Sequence, residues 1–258
     1  MTTNKTSKNK YKNKSKNRKT KKLTNSKKSK KSINNKHSKQ YKHYKLIKKF
    51  QISNTDYNNY MKELNKIMLN FKGISYMFVN NWFNMINITH YKNRPINYLE
   101  IGTFYGANLL SVAISYGLHK NSKLYCIDPW EDYDNYPEYK DKQNVIYNSF
   151  LNNIENSGLK NKIIINRGYS NIKVPMFHDE FFDIIYIDGN HEPSYVLEDA
   201  VLSFRKLKKG GIIIFDDYGW GDTQIGIDSF LSGYNKNIEI IGQRKMQIFL
   251  KKTGSLNL

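Results

Sequence analysis

Three carboxylates and an imidazole follow two apolar runs in the second half of the chain. Asp188 and His191 stand after the first run, and Asp216 and Asp217 stand after the second. Neighbouring carboxylates repel one another unless a cation neutralises them, and oxygen ligands suit Mg²⁺, Mn²⁺ or Ca²⁺. His191 has three interpretations, as a general base, as a further metal ligand or as a hydrogen-bonded loop residue.

A glycine-rich turn in the middle of the chain is a second candidate for chemistry. Residues 98–106, YLEIGTFYG, predict a buried strand that ends near Glu100, a tight turn and the start of a helix. Gly102 and Gly106 bracket the turn, and Phe104 stands where the dinucleotide fingerprint has its middle glycine. Glycines let a backbone approach a ligand closely, so the run indicates either a nucleotide-like cofactor site or an ordinary turn.

Two further predicted strands also end in polar residues. Asp128 ends the second strand and is placed to accept both ribose hydroxyls of an adenosine that lies over the first turn. Trp130 can stack on an adenine or pack at the rim of the sheet, and Ser170, after the third strand, is placed to reach the adenine edge. Any one of these acids can be a helix cap or a turn former, but their joint occurrence favours a functional site.

These side chains need a sheet whose strand ends meet at one edge, and the sequence predicts such a sheet. Strands alternate with helices, which indicates a doubly wound, Rossmann-like α/β sheet. The last two strands are separated only by residues 242–245, so they must form an antiparallel hairpin. The predicted strands are 98–101, 124–127, 163–166, 183–187, 211–215, 238–241 and 246–250. The predicted helices are 53–70 and 75–88, which form a helical cap within 51–90, and then 108–116, 143–157, 171–176, 194–205 and 225–232.

The charge of the chain is concentrated at its start. The chain has 258 residues and a formal net charge of +20, yet residues 1–50 hold 20 Lys and Arg and no Asp or Glu. We therefore expect a disordered basic tail over 1–50 and one α/β domain over 51–258. The tail can contact nucleic acid or another polyanion, serve as a nuclear address or keep the protein in solution.

Cysteine usage and hydropathy narrow the class of protein. Cys126 is the only cysteine, so no intrachain disulfide can form, and its apolar surroundings favour a core position. No apolar run reaches the roughly 18 residues that a membrane-spanning helix requires, and no apolar segment of a secretory signal follows the N-terminal charges. We expect a soluble intracellular protein without a membrane partner, and the sequence favours no particular oligomeric state.

On these residues the chain resembles the class I S-adenosylmethionine-dependent methyltransferases. EIGTFYG resembles the first motif of that fold, and the C-terminal hairpin resembles its reversed last strand. Residues 90–250 are more narrowly similar to the group that includes cephalosporin hydroxylase-like and macrocin-type O-methyltransferases, and the site is similar to that of the catechol O-methyltransferases. The segments that carry this similarity are IDPWED (127–132), YIDGNH (186–191), the helix through Asp199, LKKGGIIIFDDY (207–218) and GIDSFL (226–231).

The resemblance implies a role for each candidate residue of a cofactor site. The cofactor would be S-adenosyl-L-methionine, lying over the first turn and beside Asp188. The matching positions are Glu100, Gly102, Phe104 and Asn108 for the methionine half, with Gly106 in the same turn, Asp128 for the ribose, and Ser170 with Trp130 for the adenine.

The resemblance also implies a divalent cation, with Mg²⁺ favoured, bound by Asp188, Asp216 and Asp217. The catechol enzymes have Asn where this chain has Asp217, and a catalytic Lys where it has His191. His191 and Asp188 are therefore the candidate catalytic residues.

The implied reaction is attack of a hydroxyl group of a small-molecule acceptor on the methyl group of the sulfonium. One alternative is an RNA or DNA methyltransferase that is anchored by the basic tail and acts on ribose or cap hydroxyls. Asp188-Gly189-Asn190-His191 replaces the Asn/Asp-Pro-Pro-aromatic run of base amino-methylating enzymes, which disfavours base amino groups as targets. Another alternative is a non-catalytic binding module on this fold, and a nicotinamide dehydrogenase is disfavoured by the missing middle glycine.

Overall fold

Seven strands form one sheet in the computed structural model, which describes residues 50–133 and 137–255 of the chain. They are β1 (Asn97–Ile101), β2 (Lys123–Asp128), β3 (Ile163–Arg167), β4 (Phe182–Ile187), β5 (Leu207–Phe215), β6 (Ile238–Arg244) and β7 (Gln247–Lys252). Their spatial order is β3-β2-β1-β4-β5-β7-β6. Strands β1 to β5 pair in parallel, whereas β7 is antiparallel to both β5 and β6. The predicted Rossmann-like sheet with an antiparallel C-terminal hairpin is confirmed.

Helices precede the sheet and lie between its strands. They are α1 (Asn54–Met68), α2 (Val79–Trp82), α3 (Ile88–Lys92), α4 (Ala107–Ala113), α5 (Gln143–Ser157), α6 (Ser170–Lys173), α7 (Pro193–Lys206) and α8 (Gly221–Tyr234). Within the described residues, no helix is both long and apolar enough to cross a bilayer. The predicted basic tail falls outside the described residues, except for Phe50.

The central strands are apolar because the parallel sheet is covered on both faces. Every residue of β4, FDIIYI, is buried. Ile101 at the end of β1 pairs with Ile127 in β2 and with Ile187 in β4, so these three strands end at the same level. The strand order reverses at β1, since the chain continues to β2 on one side and β4 lies on the other. Ligands of open α/β sheets bind at this kind of reversal.

The predicted helix over 75–88 is wrong. Residues 75–78 are non-helical, and the short helices α2 and α3 follow them as separate elements. Asn87 starts α3 because its side chain accepts a hydrogen bond from the Thr89 N–H at 3.1 Å. The side chain of Asn108 accepts one from the Phe78 N–H, also at 3.1 Å, and this contact holds the non-helical segment against the sheet. Asn side chains compete in this way with the hydrogen bonds of a continuous helix.

The C-terminal hairpin is tighter than predicted. Strand β6 continues to Arg244, and the turn consists of Lys245 and Met246 rather than residues 242–245. Lys245 has φ +53°, the left-handed conformation that two-residue hairpin turns require. As a consequence, Gln247 is the first residue of β7 and lies inside the sheet.

Candidate active site

The carboxylate of Asp128 joins the ends of β1 and β2. Its Oδ2 accepts hydrogen bonds from the N–H groups of Thr103 and Phe104, both at 2.9 Å. Its Oδ1 accepts one from the Trp130 N–H at 2.8 Å. Burial raises the pKa of Asp128, and these three N–H donors oppose that effect. Asp128 therefore fixes the glycine-rich turn in a single conformation.

The first turn also lies directly against the end of β4. Gly102 has φ +80°, and a Cβ at this position would lie 1.8 Å from the carbonyl oxygen of Asp188. The Gly102 N–H donates to the Ile127 carbonyl oxygen at 2.9 Å. Only glycine tolerates this approach, which brings the turn and the ends of β2 and β4 together.

Three non-glycine residues at this edge of the sheet have strained backbones. Phe104, Trp130 and Asp217 have φ values of +54°, +46° and +53°. Left-handed conformations are uncommon for such residues, and they concentrate at ligand sites where the surrounding structure enforces them. The three residues follow β1, β2 and β5, so the strain lies where the sequence predicts the site.

Glu100 is buried at the base of this edge. The Tyr98 hydroxyl donates to its Oε2 at 2.6 Å, and the Asn108 side-chain amide donates to the same oxygen at 2.9 Å. Burial raises the pKa of Glu100 to about 8, while these two hydrogen bonds act in the opposite direction. The result is a fixed acid within the sheet, held by one residue of its own strand and one residue of α4.

A cleft with about 340 Å³ of empty space lies over the first turn. Five residues proposed from the sequence line this cleft: Glu100, Gly102, Phe104, Asn108 and Asp188. The sequence analysis missed the other lining residues, and three of them, Ile74, Tyr76 and Phe78, lie in the non-helical segment between α1 and α2. Their spacing of two residues is typical of an extended segment rather than a helix, and it is the signal that could have identified them.

Trp130 is not available to stack on an adenine. Its side chain is only 2% exposed and packs against the rings of Tyr147 and Phe150, each with a centroid distance of 4.8 Å. The Trp130 indole N–H donates to the Phe104 carbonyl oxygen at 3.0 Å. The expected stacking role is therefore corrected to the packing alternative, in which Trp130 supports the first turn.

Ser170 lies at the start of α6, beyond the end of β3. Its side chain forms a hydrogen bond with Asp199, a buried residue of α7. Burial raises the pKa of Asp199 to about 7, and the bond to Ser170 opposes this shift. A Cβ on Gly189 would lie 3.3 Å from Asp199 Oδ2, so Asp199 also lies beside the loop that follows β4.

The loop after β4 and the end of β5 bring two acids and a histidine together. Single ligand atoms of Asp188, His191 and Asp217 all lie within 4.8 Å of one another. The His191 Nε2 lies 3.2 Å from Asp217 Oδ2 and 3.9 Å from Asp188 Oδ1. Carboxylate oxygens and an imidazole nitrogen at this spacing fit the donor set of a divalent cation.

Asp216 does not belong to this group, although the sequence analysis included it among the metal ligands. Its side chain is buried, and its Oδ2 accepts a hydrogen bond of 2.6 Å from the hydroxyl of Tyr186. Burial raises the pKa of Asp216 to about 7, and the charge of Asp188 adds to the effect. The group of acids around His191 therefore differs from the predicted set of metal ligands, because Asp217 Oδ2 lies 3.2 Å from His191 Nε2 whereas Asp216 Oδ2 is bonded to Tyr186.

His191 lies in a strongly acidic environment. Burial lowers the pKa of its imidazole, but the hydrogen bond to Asp188 and the charge of Asp217 outweigh that effect, so the net shift is upward. The ring of Trp220 contacts it edge-on, with a centroid distance of 5.1 Å. Trp220 is 53% exposed and was not among the residues proposed from the sequence.

Comparison with known proteins supports the same fold. Residues 99–218, slightly less than half of the chain, match the family described as a methyltransferase domain. The chain has the Rossmann-like fold of the class I methyltransferases. The matched region includes every site residue proposed from the sequence, from Glu100 to Asp217. The segment with Tyr76 and Phe78, as well as Trp220, lies outside it.

Solved structures share the fold of this chain. The O-methyltransferase TomG from Streptomyces achromogenes, solved in complex with SAM, is 14% identical with a TM-score of 0.53, and the match covers 86% of this chain and 96% of that one. An O-methyltransferase from Bacillus cereus, solved in complex with SAH, is 14% identical with a TM-score of 0.50 over 86% of this chain and 97% of that one.

One curated sequence is also similar to this chain. It is the mimivirus protein "Uncharacterized protein R132" of Acanthamoeba polyphaga mimivirus, 29% identical over 130 residues. The alignment covers 50% of this chain and about half, 54%, of the length of that relative.

Proposed function

We propose that this protein transfers a methyl group from S-adenosylmethionine to a hydroxyl group of a small-molecule acceptor, with the assistance of a divalent cation. The observation that carries the proposal is the position of Asp188, which lines the cleft and also belongs to the group with His191 and Asp217. A methyl donor in the cleft and a hydroxyl group at the acids would therefore be neighbours. Alignment of two reactants accounts for much of the rate acceleration in a transfer of this kind.

The cleft has the chemistry to hold a cationic methyl donor. S-adenosylmethionine supplies a methyl group on a sulfonium, which is a good leaving group. Asp188 provides an acidic group, Glu100 provides a hydrogen-bonding carboxyl group, and the rings of Phe78 and Phe104 provide faces that attract a cation. The Asp128 carboxylate accepts three N–H bonds and has room for a further donor, such as a ribose hydroxyl.

Asp188 and Asp217 are the proposed ligands of the cation, which would lower the pKa of an acceptor hydroxyl. His191 Nε2, close to both carboxylates, would accept the proton of that hydroxyl. The raised pKa of His191 fits this role, because the two carboxylates stabilise the imidazolium that results.

Trp220 is the proposed platform for the acceptor. A large aromatic side chain that is 53% exposed and touches the proposed base can cover one face of a ring-shaped molecule. An acceptor on Trp220 would then present its hydroxyl group to His191 and Asp217.

The cofactor proposal can be tested by calorimetric titration of the full chain with S-adenosylhomocysteine. We expect binding by the wild type, and a loss of at least about tenfold in affinity for Asp128→Ala because the first turn loses its anchor. Asp132→Ala is the matched control, since Asp132 is an exposed acid in the same loop region whose side chain accepts from the Asp141 N–H and not from the first turn, within the described residues. Absence of measurable binding by the folded wild type would refute the proposed cofactor.

The acceptor and the cation can be tested in one experiment with methyl-labelled S-adenosylmethionine. A metabolite extract is incubated with the protein and Mg²⁺, and labelled products are identified by mass spectrometry. We expect labelling to disappear with EDTA and to fall strongly in Asp217→Ala. Labelling that persists in both cases would show that the acids do not bind a required metal.

The basic tail supports a second candidate function, a nucleic-acid methyltransferase that acts on ribose or cap hydroxyls. All of the excess positive charge lies in residues 1–50, which can release counterions from a phosphate backbone. Deletion of residues 1–48 separates the candidates. A small-molecule enzyme keeps its turnover without the tail, whereas a tail-anchored enzyme loses both turnover on RNA and salt-dependent binding.

A further inference from the structure

A line of buried polar side chains runs from the N-terminal segment to the acids of the candidate site. The Trp82 indole N–H donates to Gln247 Oε1 at 3.2 Å, and Gln247 Nε2 donates to the Tyr186 hydroxyl oxygen at 3.4 Å. The Tyr186 hydroxyl in turn lies 2.6 Å from Asp216 Oδ2 and 3.4 Å from Asp188 Oδ2. Trp82 lies in α2, Gln247 in β7 and Tyr186 in β4, and each is no more than 1% exposed. The two acids, Asp188 and Asp216, directly follow β4 and β5.

The chemistry of the indole and amide groups fixes the direction of the first two hydrogen bonds. An indole N–H can only donate, so the carbonyl oxygen of the Gln247 amide must face Trp82. The amide nitrogen therefore faces Tyr186 and donates to its hydroxyl oxygen. The Tyr186 hydroxyl in turn donates to carboxyl oxygens of Asp216 and Asp188, with the shorter contact to Asp216.

The end of this line determines how the two acids are oriented. Tyr186 occupies Oδ2 of Asp188, while Oδ1 of the same carboxylate is the oxygen that lies 3.9 Å from His191. Tyr186 also holds Asp216 by its shortest contact, which keeps that side chain out of the group formed by Asp188, His191 and Asp217.

We propose that Trp82, Gln247 and Tyr186 form a one-way hydrogen-bond chain that positions Asp188 for the cation and holds Asp216 apart from it. Gln247 and Tyr186 are positioning residues, since neither belongs to the group of candidate ligands. The consequence for the metal rests on the proposed function, but the orientation of the two acids does not. Partners that orient metal ligands typically change metal affinity by about 10–100-fold when they are removed.

The test begins with the metal-free protein. Two variants that conserve volume, Gln247→Met and Tyr186→Phe, are compared with the wild type by ¹³C NMR of the side-chain carboxyl groups at fixed pH. We expect both variants to shift the carboxyl signals of Asp188 and Asp216, although Gln247 touches neither acid. Calorimetry with Mn²⁺ alone should then show about tenfold weaker binding in each variant, and no further loss in the double variant.

Tyr116→Phe is the matched control. Tyr116 is equally buried, and its ring lies 5.8 Å from that of Trp82. Its hydroxyl donates to the Ile86 carbonyl oxygen and not to a member of the proposed hydrogen-bond chain. It should leave both carboxyl signals and Mn²⁺ affinity unchanged. The proposal is overturned if Gln247→Met leaves both carboxyl signals in place, or if Tyr116→Phe moves them as much. If the wild type does not bind Mn²⁺, the proposed metal site is refuted, but the carboxyl signals still test whether the hydrogen-bond chain positions the two acids.

Discussion

The Nε2 atom of His191 lies 3.2 Å from Oδ2 of Asp217, close enough for one proton or one cation to be shared between them. A nitrogen that coordinates a cation cannot at the same time accept a proton from the acceptor. The roles of base and of metal ligand are therefore alternatives for the same atom. The two roles predict different kinetic and binding effects.

We expect His191→Gln to lower kcat by about 100-fold or more, because the proposed base is lost. The Mn²⁺ affinity of this variant should stay within about threefold of the wild type, since the two carboxylates remain. Turnover with the acceptor found in the labelling experiment and calorimetry with Mn²⁺ measure the two effects. His178→Gln, at an exposed histidine, is the control. Weaker Mn²⁺ binding by tenfold would assign His191 as a ligand instead.

Gly102→Ala should destabilise the protein through a direct collision. The new Cβ would lie 1.8 Å from the carbonyl oxygen of Asp188 at a φ of +80°. Gly210 has the same φ of +80° but no atom within 4 Å of its Cβ position, so Gly210→Ala isolates the cost of the backbone conformation. We expect about 1–2 kcal/mol for Gly210→Ala and about 2–5 kcal/mol for Gly102→Ala in urea unfolding. Equal losses would contradict the close approach of the turn to β4.

Glu100 should make the folded state less stable as the pH rises. Its pKa is about 8 in the folded protein and near 4.5 in an unfolded chain, so folding binds a proton between these values. The stability contribution is complete below pH 4.5 and is lost as the pH rises towards 8, with a slope of at most about 1.4 kcal/mol per pH unit. Glu100→Gln, which cannot ionise, should flatten this slope in urea unfolding from pH 5 to 9. Glu63→Gln, at a residue of α1 whose side chain is 45% exposed, should keep the wild-type slope.

Trp220→Ala should raise the KM for the acceptor about tenfold while the affinity for S-adenosylhomocysteine stays unchanged, since a stacked aromatic contact contributes about 1 kcal/mol or more. The other two tryptophans, Trp82 and Trp130, are 0% and 2% exposed, so quenching by acrylamide reports on Trp220. A bound acceptor should protect this fluorescence. Ile225→Ala, a similarly exposed apolar residue on α8, serves as the control. Acceptor binding without any protection of Trp220 would argue against the platform.

The sequence predicts the positions of the acids well because they follow from the geometry of a parallel sheet. Glu100, Asp128 and Asp188 all end or follow parallel strands, and such ends must meet at one edge. The orientation of adjacent side chains, by contrast, does not follow from the sheet geometry. Asp216 and Asp217 are neighbours in sequence, but the φ of +53° at Asp217 and the hydrogen bond from Tyr186 to Asp216 arise only in the folded structure.

Contacts between distant segments were also beyond the reach of sequence patterns. The helix-like apolar spacing over residues 75–88 masks the two-residue spacing of Tyr76 and Phe78, and the non-helical form of this segment depends on a bond to Asn108 some 30 residues later. No sequence pattern indicates a positioning role for Gln247, because that role depends on its partners Trp82 and Tyr186, which are distant in sequence.

The placement of β7 has a consequence for the order in which the protein is made. It is the last of the described strands along the chain, yet it lies between β5 and β6, so β6 has no neighbour in the described sheet until β7 leaves the ribosome. Until then β5 presents an open edge of unpaired backbone groups, a surface that invites aggregation and chaperone binding. Because Gln247 is made with β7, a ribosome stalled only a few codons earlier would leave a nascent chain with most of its sheet and an unsupported pair of acids.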